Sequence, residues 1–154
     1  MIPTKNFWII TFQILINKLI KKGKKNIAMK IIKNLIIDFN KELIPWKKII
    51  YNCIFKLKPI LTVRILIKKY KKILLPNILS FEKELKIATN WLLKATKSVK
   101  KKEQFYKKLK KEILNTVSNK ENLSKSLMYK KEFYDLITHH SNVQSYFKIK
   151  ITKK

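Results

Sequence analysis

Residues 15–28 read Leu-Ile-Asn-Lys-Leu-Ile-Lys-Lys-Gly-Lys-Lys-Asn-Ile-Ala and include Gly23, the only glycine in the chain. Apolar residues recur at helical spacing from Phe12 to Ile20, which predicts a first helix from about Ile9 to Lys22. Glycine readily adopts the left-handed backbone that ends many helices, so Gly23 is placed to end this one. A second helix is expected to begin within a few residues. The pattern therefore predicts two helices joined by a short basic turn.

The same periodicity continues through most of the chain and predicts a mainly α fold, a single helical domain of about six helices. Pro45 suits the first turn of the third helix, which Pro59 would end. A polar stretch at residues 118–126 separates the last helix and is a candidate loop facing a neighbouring molecule. The expected core positions, from the second helix to the last, are Ile27, Ile31, Ile32, Leu35, Ile36, Phe39, Ile49, Ile50, Cys53, Ile54, Leu57, Leu85, Ala88, Trp91, Leu92, Ala95, Phe105, Leu109, Ile113, Val117, Phe133, Leu136, His140 and Val143.

The pattern changes between about residues 60 and 80. There, β-branched and aliphatic residues flank the run Lys68-Lys69-Tyr70-Lys71-Lys72, which predicts two strands and a basic connection. We interpret this segment as an extended β-hairpin arm protruding from the helical body. The length of 154 residues suits one domain over residues 1–154, with the arm at about 60–80 and a basic tail at 148–154.

Charge gives the clearest indication of a partner, because 37 Lys and Arg residues stand against 9 Asp and Glu, a net charge of +28. Such a chain repels itself unless a polyanion lies against it, and lysines replace the counterions condensed on nucleic acid phosphates. Arg64 is the only arginine. This bias towards lysine is typical of a very A/T-rich genome, so lysine clusters are more informative than single lysines.

The sequence offers little to catalysis, metals or cofactors. One glycine cannot build a phosphate-cradling loop, and Cys53 is the only cysteine. His139 and His140 are adjacent, so on a helix they point about 100° apart and cannot chelate one metal. We therefore predict no catalytic residue, no metal site and no cofactor.

The carboxylates look structural, because many have a lysine four residues away and such pairs support helices. These pairs are Glu82–Lys86, Glu103–Lys107, Glu121–Lys125, Lys108–Glu112 and Lys131–Asp135.

Two segments resemble the small-subunit ribosomal protein S7 family. Residues 15–28 resemble its opening signature, a helix reading F-I-N-x-L-M followed by G-K-K-S and a second helix, with Gly23 at the glycine. Residues 57–64, Leu-Lys-Pro-Ile-Leu-Thr-Val-Arg, resemble its N-x-K-P-x-x-E-V-R segment, with Arg64 at the arginine. The spacing then agrees without a gap to Leu92, through Leu75-Pro76 and Ala88-x-x-Trp91-Leu92. Weaker matches follow at Glu112-Ile113-Leu114, Lys130-Lys131 and Asn142, so the resemblance spans about Leu15 to Phe147.

The resemblance implies a helical domain with a β-hairpin arm that binds ribosomal RNA of the small-subunit head, in the 3′ major domain. It implies an architectural role early in head assembly, with the arm near the exit-site tRNA and mRNA path. The implied protein neighbours are the ninth, eleventh and thirteenth small-subunit proteins. The arm of this chain departs from the family at its tip, where Lys69 and Tyr70 replace paired glycines.

Basic clusters at predicted breaks and turns are the candidate contacts to ribosomal RNA. In such clusters several ammonium groups can reach one RNA groove, and an aromatic ring within the cluster can stack on an exposed base. The candidates are Lys21, Lys22, Lys24, Lys25, Arg64, Lys68, Lys69, Tyr70, Lys71, Lys72, Lys130 and Lys131.

Two rival classes stay open at this point. A lysine-rich DNA-compacting architectural protein would share the charge, and so would a protein of the membrane surface, although we expect no membrane partner. The first residues resemble no import signal. Together with the A/T-rich composition, this favours a protein made and used in an organelle, the mitochondrion first and the plastid as the alternative.

Overall fold

A computed structural model describes residues 5–68, 71–100, 102–118 and 123–139, and within them all side chains except those of residues 5–8, 64–68, 71–76 and 139. Across this part of the chain there are six α-helices and one antiparallel hairpin, which confirms the predicted fold class. The elements are α1 Lys5–Leu19, α2 Lys25–Lys41, α3 Trp46–Leu57, β1 Leu61–Lys68, β2 Lys71–Ile78, α4 Phe81–Ser98, α5 Phe105–Val117 and α6 Lys125–His139.

The turn between α1 and α2 contains Gly23, as predicted, at a φ of +73°. Lys22 also has a positive φ, +50°, and a left-handed residue cannot continue a right-handed helix. Helix α1 ends at Leu19, three residues before the predicted end and before this left-handed pair. A side chain at position 23 would meet open space, so the backbone conformation alone favours glycine here.

Helix α5 lies at the centre of the body and packs against α2, α3, α4 and α6. Its Leu109 and Ile113 are buried among apolar side chains of these helices. Helix α3 ends at Leu57, two residues before Pro59, in agreement with the prediction. Cys53 is fully buried, and burial raises the pKa of its thiol to about 12, so it serves as a core side chain.

Two expected core residues are wrong. Ile27 is 55% exposed and Leu136 is 64% exposed, whereas their neighbours Ala28 and Ile137 are buried. Successive helical residues point about 100° apart, so an error of one residue moves a side chain from the core to the surface. His140 and Val143 lie outside the described residues.

A buried polar cluster, here called the polar junction, joins α5 to the start of α6 through Glu112, Thr116, Ser124 and Ser126. Glu112 Oε1 accepts hydrogen bonds from Ser124 Oγ at 3.0 Å, from the Ser126 backbone N–H at 2.9 Å and from Ser126 Oγ at 2.7 Å. Thr116 Oγ1 lies 2.9 Å from Ser126 Oγ. The expectation that residues 118–126 face a neighbouring molecule is therefore wrong for the two serines, which point into the body.

The hairpin extends from a base where Leu61 pairs with Ile78 to a far end where Lys68 pairs with Lys71. Among the described elements, its strands pack extensively only against each other. Its base is fixed to α6 because the Ile60 N–H donates to the Tyr134 hydroxyl at 3.2 Å. Eight residues of strand span about 25 Å, so this segment is an arm, as predicted.

Candidate nucleic-acid interface

A groove opens at the end of the helical body where α1 and α4 end and α2 and α5 begin. Its floor is apolar and contains Leu19, Ile27, Ile31 and Phe105. Five lysines complete its lining, and all of them are exposed to solvent: Lys18, Lys21, Lys22, Lys24 and Lys97. We call this site the basic groove.

The turn between α1 and α2 positions three of these lysines. The Lys24 N–H donates to the Lys21 carbonyl at 3.1 Å, and the Lys25 N–H donates to the Gly23 carbonyl at 2.8 Å. These bonds hold Lys21, Lys22 and Lys24 within one tight bend. Lys25, the first residue of α2, is exposed but does not line the groove.

Backbone dipoles add to the positive charge of the basic groove. Helices α2 and α5 both begin there, and neither has an acidic residue in its first turn or a hydrogen bond from its N-cap side chain. The N-terminal end of a helix carries a partial positive charge. Because no carboxylate is among the described lining residues, the site suits an anion.

Sequence reasoning found part of this site and missed the rest. It named Lys21, Lys22 and Lys24 but not Lys18, Lys97 or Phe105 as partners in one site. Lys18 lies one helical turn before the predicted cluster, so its spacing was available as a signal. Lys97 and Phe105 come from α4 and α5, and only the packing of the helices brings them to the turn.

The arm residues lie at the other end of the body from the basic groove. Helix α4 joins the two ends, from Phe81 beside the hairpin to Ser98 near the groove, and eighteen helical residues span about 27 Å. The strand register places Arg64 opposite Leu75.

The other predicted arm contacts lie farther along the hairpin. Lys72 stands opposite Ile67, and Lys68 opposite Lys71 at the far end. Lys69 and Tyr70 lie outside the described residues.

Lys130 and Lys131 differ although they are adjacent. The Lys130 ammonium, which is half-buried, donates to the backbone carbonyl of Lys56 in the last turn of α3. Burial, and then the charge of Lys58, lowers the pKa of this ammonium. Lys131 is exposed. The structure thus gives Lys130 a role in the fold, and its contact with RNA stays a prediction.

Other kinds of site find no support in the described part of the chain. None of its helices combines the length and apolar character needed to cross a bilayer. No group of three or more His, Cys, Asp or Glu side chains among the same residues is placed to hold a metal ion.

Comparison with known families gives a match over most of the chain. The model of the family described as ribosomal protein S7p/S5e matches residues 2–134, which is most of the chain. No curated protein matches the sequence.

Proposed function

The chain belongs to the ribosomal protein S7p/S5e family, and from this premise we propose that it holds one fold of ribosomal RNA through two surfaces, the basic groove and the hairpin arm. Membership makes it a structural, RNA-binding protein of the small ribosomal subunit rather than an enzyme. The observation that carries the proposal is the convergence of five exposed lysines from three chain segments on one groove.

The mechanism is electrostatic attachment guided by shape. Folded RNA presents phosphates and 2′-hydroxyls more readily than base edges, so a rigid surface that carries lysines can select a junction by its contour. The helical body supplies the rigidity, because helices that pack on a shared apolar core hold the ends that carry the lysines. The proposed contacts lie in three places. They are Lys21, Lys22, Lys24 and neighbouring Lys25 at the groove, Arg64, Lys68, Lys69, Tyr70, Lys71 and Lys72 on the arm, and Lys130 and Lys131 on α6. Lys130 would contact RNA in addition to its bond within the fold.

We further propose that the RNA is the 3′ major domain of the small-subunit head and that binding occurs early in head assembly. The arm would then lie near the exit-site tRNA and mRNA path, and the ninth, eleventh and thirteenth small-subunit proteins would be neighbours. The hairpin supports this placement because it extends about 25 Å from its base while packing extensively only on itself.

The compartment we propose is the mitochondrion, with the plastid as the alternative, and residues 1–154 would form a single domain. The lysine-rich, glycine-poor composition supports an organellar genome. Sedimentation of ribosomes from purified organelles tests both the class and the compartment. The protein should appear in the small-subunit peak, and its absence from that peak would contradict the proposal.

Salt-dependent RNA binding tests the basic groove directly. We compare Lys21→Ala/Lys22→Ala/Lys24→Ala with a control of equal charge, Lys33→Ala/Lys41→Ala/Lys48→Ala, whose exposed lysines do not line the groove. Each lost phosphate contact reduces the magnitude of the negative slope of log K against log salt by about 0.7 to 0.9, so the groove variant should reduce it by about 2 to 3. The control should lose much less.

Two outcomes would contradict the RNA proposal. One is an equal loss of slope in the groove variant and the control, because the groove would then be no special contact. The other is an affinity for duplex DNA equal to that for head-domain RNA, which is the behaviour of a DNA-compacting protein.

A further inference from the structure

We propose that the basic groove takes one unpaired nucleotide of the bound RNA, with its base against Ile27 and Phe105 and its flanking phosphates at the lysines. This inference rests on the proposed function and deepens it. It states that a base of the RNA enters the groove, and not only that the RNA phosphate backbone contacts the lysines. It predicts that the RNA partner has a bulged or looped nucleotide at this point.

The apolar floor is the feature that phosphate binding leaves unexplained. Ile27 is 55% exposed, although it lies in a concave site, and it is continuous with Ile31 and Phe105. Lysines on a flat polar surface would be enough to bind phosphates, so phosphate binding does not require an apolar groove. Covering the exposed apolar floor with an apolar surface of the ligand removes both surfaces from water, which favours binding.

A nucleotide combines the two chemistries that the groove presents. Its base is flat and apolar on both faces, and unstacked bases pack on aromatic and apolar side chains. Its phosphates meet ammonium groups that come from the end of α1, the turn and the end of α4. The cavity measures about 430 Å³, within the size range of small-ligand sites.

The size and charge of the site favour a nucleotide over a protein segment. The apolar part of the lining consists of Leu19, Ile27, Ile31 and Phe105, the rest consists of lysines, and no described lining carboxylate could pair with a basic or mixed peptide. A paired duplex keeps its bases stacked and offers phosphates and 2′-hydroxyls, so its bases cannot cover the apolar floor. Among RNA partners, one with an unpaired nucleotide can use the floor and the lysines together.

Photocross-linking locates the base. The probe is a 20-base-pair RNA duplex that carries one unpaired 4-thiouridine, bound to the full chain and irradiated, with peptides mapped by mass spectrometry. The expected cross-links lie within residues 18–31 and 97–106. A cross-link confined to other segments would overturn the proposal.

Affinity measurements with a matched pair of variants test the floor. Ile27→Gln removes an exposed isoleucine from the groove, whereas Ile37→Gln removes an exposed isoleucine of the same helix outside it. Ile27→Gln should weaken binding of the bulged RNA about fivefold and leave the fully paired duplex unaffected. Its salt slope should not change, because no phosphate contact is lost. Ile37→Gln should match the wild type in every assay.

Failure of this inference is distinguishable from failure of the proposed function. If Ile27→Gln and Ile37→Gln bind the bulged RNA equally well, base insertion is overturned while RNA binding through the lysines stands. If Ile27→Gln binds both RNAs normally but releases another protein from small subunits, the occupant is a protein and the inference is also overturned. If the wild type binds RNA without salt dependence, the proposed function itself fails.

Discussion

The polar junction and the basic groove put charged residues to opposite uses. At the junction, Glu112 is buried and its carboxylate oxygen accepts three hydrogen bonds. At the groove, lysines stand exposed around an apolar floor. In a chain with so many charged residues, composition therefore does not assign a role. The role depends on whether packing brings a bonding partner within reach.

Lysines themselves divide in the same way. Besides Lys130, three of them bind backbone carbonyls near helix ends: Lys56 binds Val117, Lys108 binds Val99 at 2.9 Å, and Lys110 binds Asp38 at 3.1 Å. The carbonyls in the last turn of a helix lack partners within it, and a cation also favours the negative end of the helix dipole. Such lysines stabilise the body, while the groove lysines are left for a ligand.

The largest expected effect comes from removing the acceptor at the polar junction. Glu112→Ala leaves the buried Ser126 N–H without its acceptor and takes the charged acceptor from two serine hydroxyls, which keep only each other and Thr116 as partners. The free energy of unfolding should fall by about 3 kcal/mol, because each buried donor left unpaired is costly. Denaturant unfolding followed by circular dichroism measures it.

A surface glutamate provides the control for Glu112. Glu82→Ala removes an exposed i,i+4 pair, Glu82 with Lys86 at 3.5 Å, and should cost less than about 0.5 kcal/mol. Equal losses in the two variants would mean that the junction is solvated, and the comparison of buried and exposed charge would fail.

Alkaline pH should weaken the body through Cys53. The folded pKa of about 12 lies above the ordinary value of 9.0, so between these values the unfolded chain loses a proton that the folded chain keeps. Stability attributable to this thiol is complete below pH 9 and declines as the pH rises. At pH 10 the loss is about 1.4 kcal/mol relative to pH 8.

The Cys53→Ala variant isolates this contribution, because lysines and tyrosines also titrate at alkaline pH. The difference in unfolding free energy between wild type and variant should shrink from pH 8 to pH 10. A constant difference would show that the thiol ionises equally in both states and is open to water.

A smaller effect is expected at the turn that carries the groove lysines. Gly23→Ala introduces a side chain at a φ of +73° with open space around it, so the cost is backbone strain of about 1 kcal/mol. Lys22→Asn should act in the opposite direction, because asparagine tolerates the left-handed region better than lysine does. If Gly23→Ala proves neutral in denaturant unfolding, the turn is not held in this conformation.

The sequence allowed the elements of the fold to be predicted, but not all of their contacts. Gly23, Pro59 and the change of period near residue 60 act locally, so they located the first turn, the end of α3 and the hairpin. The partners of Glu112 could not be predicted from the sequence. Spacing suggested Lys108, whereas packing brings Ser124, just before α6, and Ser126, in its first turn. Glu103 similarly pairs with Lys111 at 2.9 Å rather than with Lys107.

The smallest expected effect, and the most direct comparison, is at the adjacent residues Lys130 and Lys131. Lys130→Ala removes the bond to the Lys56 carbonyl but also relieves the burial of a charge, so the net loss of stability should be about 0.5 to 1 kcal/mol. Lys130→Gln, which keeps a donor without the charge, should recover part of it. Lys131→Ala should leave stability unchanged, because this side chain is exposed.

RNA binding should show the reverse order for these two residues. Lys131→Ala should reduce the magnitude of the slope of log K against log salt by about 0.7 to 0.9, the value of one phosphate contact. Lys130→Ala should change it less, because the ammonium already donates to the Lys56 carbonyl. If Lys130→Ala instead lowers the slope by a full contact while its unfolding curve matches the wild type, the ammonium leaves α3 to bind RNA. The division between lysines of the body and lysines of the interface would then fail at this position.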